Sequence, residues 1–108
     1  MAAGLSHGEH RQLELAMALA TNPSMLLLDE PMAGLGSEES QAMTALLASL
    51  KRRYTILLIE HDMDVVFSLA DRISVLVAGR VIVTGSADEI RAHPDVRAAY
   101  LGNEDDDA

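Results

Sequence analysis

Cysteine is absent from this chain of 108 residues, so neither a disulfide nor a thiolate metal site can form. That absence fits a reducing cytoplasm. Aromatic residues are almost missing, with one Phe, two Tyr and no Trp. The core must therefore be aliphatic, built from Leu, Ile, Val, Ala and six Met. Positive charge is scarce as well: eight Lys and Arg stand against seventeen Asp and Glu, for a net charge of −9. Nucleic-acid backbones are bound by clustered Lys and Arg, so this balance argues against such a partner, and equally against direct attachment to anionic lipid. No apolar run approaches the length that spans a membrane, and the first residues lack the basic start and apolar core of a signal peptide. Lysine is the sharpest absence. Lys51 is the only one, and no Gly-x-x-x-x-Gly-Lys-Ser/Thr occurs anywhere, so no P-loop lysine exists to cradle a triphosphate.

What is present reads as one globular domain at most, 49% hydrophobic and 23% charged. Its most informative run is Met25-Leu26-Leu27-Leu28-Asp29-Glu30. Four consecutive apolar residues predict a strand covered on both faces, as in a parallel α/β sheet. Ligands of such sheets gather at the carboxyl ends of the strands, where Asp29 and Glu30 sit. Side chains alternate along a strand, so one carboxylate can hold Mg²⁺, directly or through water, while the other orients or deprotonates a water. An ordinary polar strand end, stopped by Pro31, is the competing reading of this run alone.

Flanking elements follow from capping signals and periodicity. Ser6-His7-Gly8-Glu9 has capping-box spacing and opens a helix in which Leu13, Ala16, Met17 and Ala20 recur, up to Asn22-Pro23. Pro31 to Gly36 reads as a loop. Ser37 is expected to cap the next helix, with Glu38 and Glu39 set favourably against its dipole and Met43, Leu46, Leu47 and Leu50 as its buried stripe. Thr55 to Ile59 is a second aliphatic strand, followed by Glu60-His61. Strand, helix and strand predict a right-handed parallel βαβ unit that brings Asp29, Glu30 and His61 to one edge. A short helix from about Asp62 to Ala70 turns Met63, Val66 and Phe67 inward, with Asp62 as its cap. Ile73–Val77 and Val81–Thr84 form a hairpin around Ala78-Gly79-Arg80. Ser86 to Glu89 repeats the capping box, Pro94 restarts a helical turn through Leu101, and residues 103–108 make an acidic tail expected to be disordered. Residues 1–102 would form the folded part.

Leu5-Ser6-His7-Gly8-Glu9, a helix, Leu-Leu-Leu-Asp-Glu-Pro, and His61 after the next strand make an ordered set. Together they resemble the carboxyl-terminal half of an ABC transporter ATP-binding subunit, over nearly the whole chain. Leu-Ser-His-Gly-Glu, Glu-Pro-Met-Ala-Gly-Leu, Ile-Glu-His-Asp-Met and Ala-His-Pro-Asp-Val-Arg-Ala-Ala-Tyr-Leu-Gly look most like the branched-chain amino-acid importer ATPases, in particular their larger, G-type subunit. The fold this implies is a partial P-loop NTPase fold: a parallel βαβ core, then a β-hairpin and helices, without the P-loop portion.

The resemblance implies a set of roles. Residues 5–9 would be the signature motif, with Ser6, His7, Gly8 and Glu9 facing ATP held by the opposite subunit. Asp29 would support Mg²⁺, Glu30 would polarise the attacking water, and His61 would be the switch histidine that contacts the γ-phosphate. Residues 33–36 would be the D-loop, including Gly34 and Gly36. His7 and Glu9 replace the family's usual glycine and glutamine, and Gly36 stands where a carboxylate is usual. Glu9 is expected to point away from phosphate, into the capping box. His7 and His10 lack a third ligand and are read as surface histidines. ATP and Mg²⁺ are the implied cofactors, and a second nucleotide-binding subunit and integral membrane permease subunits the implied partners. The chain would then sit in the cytoplasm, peripheral to the inner face of the membrane, with neither nucleic acid nor membrane insertion. Without a P-loop it would be a carboxyl-terminal fragment, inactive alone. A non-catalytic interaction module, or the ATPase head of a DNA-repair protein, are the alternatives.

Overall fold

Parallel pairing of two short aliphatic segments organises the first part of the molecule. In the computed structural model, which describes residues 6–101, the chain divides into two units, 1–60 and 61–108. The expectations for Leu5 and for the acidic tail lie outside the described residues. In the first unit α1 (His7–Ala20), β1 (Met25–Asp29), α2 (Ser37–Leu50) and β2 (Thr55–Ile59) follow in order. β1 and β2 pair in parallel and in strict register, Met25 against Thr55 through Asp29 against Ile59. This is the predicted βαβ unit, and its register sets the carboxyl ends of both strands side by side.

One face of this strand pair is covered and the other is not. Leu26 is buried together with Leu15 of α1 and Met43 and Leu47 of α2. Met25, Leu27, Leu57 and Ile59, on the opposite face, are about half exposed or more. The expectation of a strand covered on both faces is therefore corrected. Alternate side chains of a strand point to opposite sides, and the described residues supply helices for only one of them. α1 departs in the same way: its apolar stripe at Leu13 and Met17 is exposed, and Leu15 is its buried apolar contact. Ser6 caps α1 as predicted, with the full capping box to Glu9. α2 begins one residue earlier than expected, so Gly36 holds the cap position and Ser37 is the first helical residue.

The second unit is built from α3 (Met63–Leu69), a hairpin of β3 (Ile73–Val77) and β4 (Arg80–Gly85), α4 (Ala87–Ala92), α5 (Pro94–Val96) and a wider π-type turn over Arg97–Leu101. Asp62 caps α3 through Val65 N–H, as predicted. Ser86 caps α4 with its own capping box to Glu89. Ile73, Val75, Ile90 and Val96 form the core, with Val66 and Phe67 packed against it. Ile90 and Val96 are fully buried, each contributing about 1.5–3 kcal/mol of apolar burial. Arg91 lies over the Phe67 ring, 4.3 Å from its centre.

The hairpin turn is tighter than expected. Arg80 pairs with Val77, which leaves Ala78 and Gly79 as a two-residue turn. Both have positive φ, 51° and 77°, as a type I′ turn requires. Gly79 adopts this conformation without steric cost, but Ala78 does not. Replacing Ala78 by Asn, which tolerates the left-handed region, is expected to raise stability by about 1 kcal/mol. A urea titration reads this as a higher midpoint at unchanged slope; an unchanged midpoint would contradict strain at this turn.

Candidate functional site

β1 ends in two carboxylates held very differently. Asp29 is the last strand residue, exposed, and in register with Ile59. Glu30 leaves the strand direction: its N–H donates to the Ile59 carbonyl at 2.7 Å and its φ is 48°. A glutamate pays a steric penalty in that conformation, and non-glycine residues kept there cluster at functional sites. The bond to β2 is what holds it. From Glu30 the chain enters two successive turns, Ala33 N–H to the Glu30 carbonyl at 3.0 Å and Leu35 N–H to the Met32 carbonyl at 3.1 Å.

Glu60, which follows β2, faces this loop. Its Oε2 accepts from Met32 N–H at 3.4 Å, and one of its carboxylate oxygens lies within 4.8 Å of one from Glu30. Both glutamates are half-buried. Together with Asp29 they offer only oxygen donors, the kind Mg²⁺ takes, so the chemistry of this strand end fits that ion. His61, the next residue after Glu60, is exposed and opens the second unit.

The amino end of α1 carries the other predicted residues. Ser6 Oγ accepts from Glu9 N–H at 3.1 Å, and Glu9 Oε1 accepts from Ser6 N–H at 3.1 Å. The Glu9 carboxyl is held below its ordinary value, first by the bond from the Ser6 backbone and then by the Ser6 hydroxyl. Glu9 is thus turned back onto the helix cap. Gly8 is buried, and its N–H donates at 2.8 Å to Oε2 of Glu39, in the first turn of α2. His7 is exposed, and a Cβ added to Gly34 would stand 3.9 Å from its ring. Gly34 has a φ of 79°, a conformation glycine alone adopts freely, whereas Gly36 is extended, with nothing but the Glu39 carboxylate near the place of a Cβ. Arg11 reaches the Ala33 carbonyl at 3.4 Å. Residues 6–9 and 33–36 are therefore brought together through α1 and α2.

Three contributors escaped the sequence reading: Glu39, Glu60 and Arg11. Glu60 carried a signal, since a carboxylate directly after an aliphatic strand repeats the Asp29-Glu30 pattern. Glu39 stands three residues after Gly36, capping-box spacing for α2, and its Oε1 does accept from Gly36 N–H at 3.4 Å. Its reach to α1 has no local signature. Between α1, β1 and α2 lies a cleft of about 270 Å³, lined by Arg11, Glu14, Leu27, Asp29, Met43 and Leu47 among others.

Residues 1–33 match the ABC transporter family model, and residues 80–106 match that of the branched-chain amino acid ATP-binding cassette transporter. LivG of Salmonella typhimurium, a high-affinity branched-chain amino acid transport ATP-binding protein, is 46% identical over 103 residues, covering 94% of this chain and 40% of its own length. The chain belongs to the ABC transporter ATP-binding family. BraF of Pseudomonas aeruginosa, named for the same transport, is 45% identical over 91% of this chain and 39% of its own. A crystallised ABC transporter ATP-binding cassette superposes with a TM-score of 0.81 at 32% identity, covering 94% of this chain and 42% of that one. The ADP conformation of such a cassette gives 0.80 at 31% identity, over 93% and 41%. The fold is thus that of the ABC ATPases, and the chain spans about 40% of the length of the curated relatives named here.

The capping boxes of this ABC segment make its stability pH-dependent. Glu9 and Glu89 both have carboxyls lowered from an ordinary value of 4.5, in each case first by a backbone N–H and then by a serine hydroxyl. A depressed folded-state value means that the contribution is present above pH about 4.5 and is lost as pH falls through the lowered value. Thermal melts from pH 6 to pH 3 are expected to show a smaller fall in Tm for the double variant Glu9→Gln, Glu89→Gln than for the wild type. Parallel curves would remove the capping boxes from the acid response.

Proposed function

We propose that this chain supplies the signature, Walker B, D-loop and switch segments of an ATP-hydrolysing subunit that energises import of branched-chain amino acids or related solutes. The observation that carries the reading is Glu30, clamped by β2 in a left-handed conformation immediately after Asp29. A strained, half-buried carboxylate at the carboxyl end of a parallel strand is placed to take a proton from a water. The names of LivG and BraF support the class of solute.

In this reading Asp29 would hold Mg²⁺, and the ion would neutralise charge on the phosphates of ATP. Glu30 accepts a hydrogen bond from the attacking water and orients its lone pair. His61 donates to the γ-phosphate and registers its presence. The amino end of α1, with Ser6, His7, Gly8 and Glu9, receives ATP bound by a second nucleotide-binding subunit, because helix-end N–H groups and a serine hydroxyl suit a phosphate. Gly34 and Gly36 shape the D-loop at that subunit boundary. Integral permease subunits are the other partners, which puts the protein at the inner face of the membrane. Lys51, the one lysine, lies at the far end of α2, so the chain on its own would turn over ATP negligibly.

In a complete subunit carrying this segment, Glu30→Gln is expected to lower ATP turnover about 10²- to 10⁴-fold, the usual span for a lost general base. Binding of a fluorescent ATP analogue should be retained. Turnover equal to wild type would take the water-activating role away from Glu30.

A further inference from the structure

The donors at the amino end of α1 are already engaged. The Ser6 hydroxyl accepts from Glu9 N–H, and its single proton is within reach of both the Glu9 carboxylate and Glu39 Oε2, the latter 3.4 Å away. Gly8 N–H donates to that same oxygen at 2.8 Å. The other oxygen of Glu39 accepts from Gly36 N–H at 3.4 Å. Glu39 is half-buried, and a Cβ added at Gly8 would lie 2.1 Å from Oε2, so the carboxylate rests directly on the backbone. An anionic oxygen at this distance from a helix-end N–H, with a hydroxyl within reach of it, reproduces the contact a phosphate oxygen makes.

We propose that Glu39 is an internal stand-in for phosphate: its carboxylate occupies the Ser6 and Gly8 donors, and a triphosphate engages this helix end only after Glu39 has swung out. The inference rests on the reading of residues 6–9 as a phosphate-receiving segment and adds its regulation. Two anions cannot share these donors, because like charges at contact distance repel and the hydroxyl has a single proton. Release of Glu39 also frees Gly36 N–H. Phosphate arrival at α1 and loosening of the 33–36 loop therefore become one event.

The test follows the Gly8 amide of the ¹⁵N-labelled chain by NMR while inorganic triphosphate is added. Glu39→Ala is expected to lower the half-saturating concentration at Gly8 about tenfold, since a competing charge has left the donors. Glu39→Gln, of the same shape but neutral, should show a smaller gain and serves if the alanine variant does not fold. Glu38→Gln removes the same charge from the neighbouring position and should match wild type. A gain with Glu38→Gln equal to that with Glu39→Gln would mean a general charge effect and overturn the proposal. Equal responses of Gly8 in wild type and both Glu39 variants would also overturn it, while leaving the helix end as a phosphate site. Silence at Gly8 in every protein, with dispersed spectra, would overturn the phosphate-site reading and the stand-in together.

Discussion

Strict parallel register between β1 and β2 is the constraint on which the first unit depends. With Asp29 opposite Ile59, the next N–H along β1 meets the Ile59 carbonyl, and that bond turns Glu30 into the left-handed region. A slip of one residue would invert every side chain of the strand, burying Leu27 and Asp29 and exposing Leu26. It would also remove the bond that holds Glu30. The side-chain chemistry of the strand end is thus fixed by main-chain geometry, and the two turns through Leu35 inherit their starting direction from it.

The loop that follows is a connector in the physical sense. Met32 is buried, and its N–H is bound to Glu60; Ala33 accepts from Arg11; Gly34 takes a conformation that a side chain would resist; Gly36 shares the Glu39 carboxylate with Gly8. Each tie is weak, on the order of 0.5–1.5 kcal/mol net for an ordinary hydrogen bond. Acting at Met32, Ala33 and Gly36, they couple the loop to the residue that follows β2 and to the start of α1. Glycine at 34 and 36 removes side chains from a place where two helix starts and a strand end converge.

Much of this was legible in the amino-acid order because the signals were local. Ser6 with Glu9 and Ser86 with Glu89 announced two helix starts by spacing alone, and Asp62 announced a third. Parallel β1 and β2 followed from two aliphatic runs separated by a helix. What could not be read were relations with no short-range signature. The exposure of Leu27 and Leu57 depends on what covers the sheet, and a run of leucines looks the same with one face covered or two. Glu39 reads as a dipole-favouring residue in the first turn of α2, and its bond to Gly8 spans 31 positions. Ala78 gave no hint of a positive φ, since the residue usual at that place is Asn, Asp or Gly.

The uncovered face of the β1–β2 pair has a consequence for how this segment can diverge. Met25, Leu27, Leu57 and Ile59 are about half exposed or more, so their replacement by polar residues changes little in the stability of the described fold. Leu26, on the other side, is only 4% exposed, and Leu26→Ala there costs about 2–5 kcal/mol. Drift is therefore tolerated by this fold at alternate positions of both strands and opposed at Leu26 between them. If homologous sequences keep the odd-numbered positions apolar, the selection responsible acts through whatever packs on that face rather than through the stability of this unit.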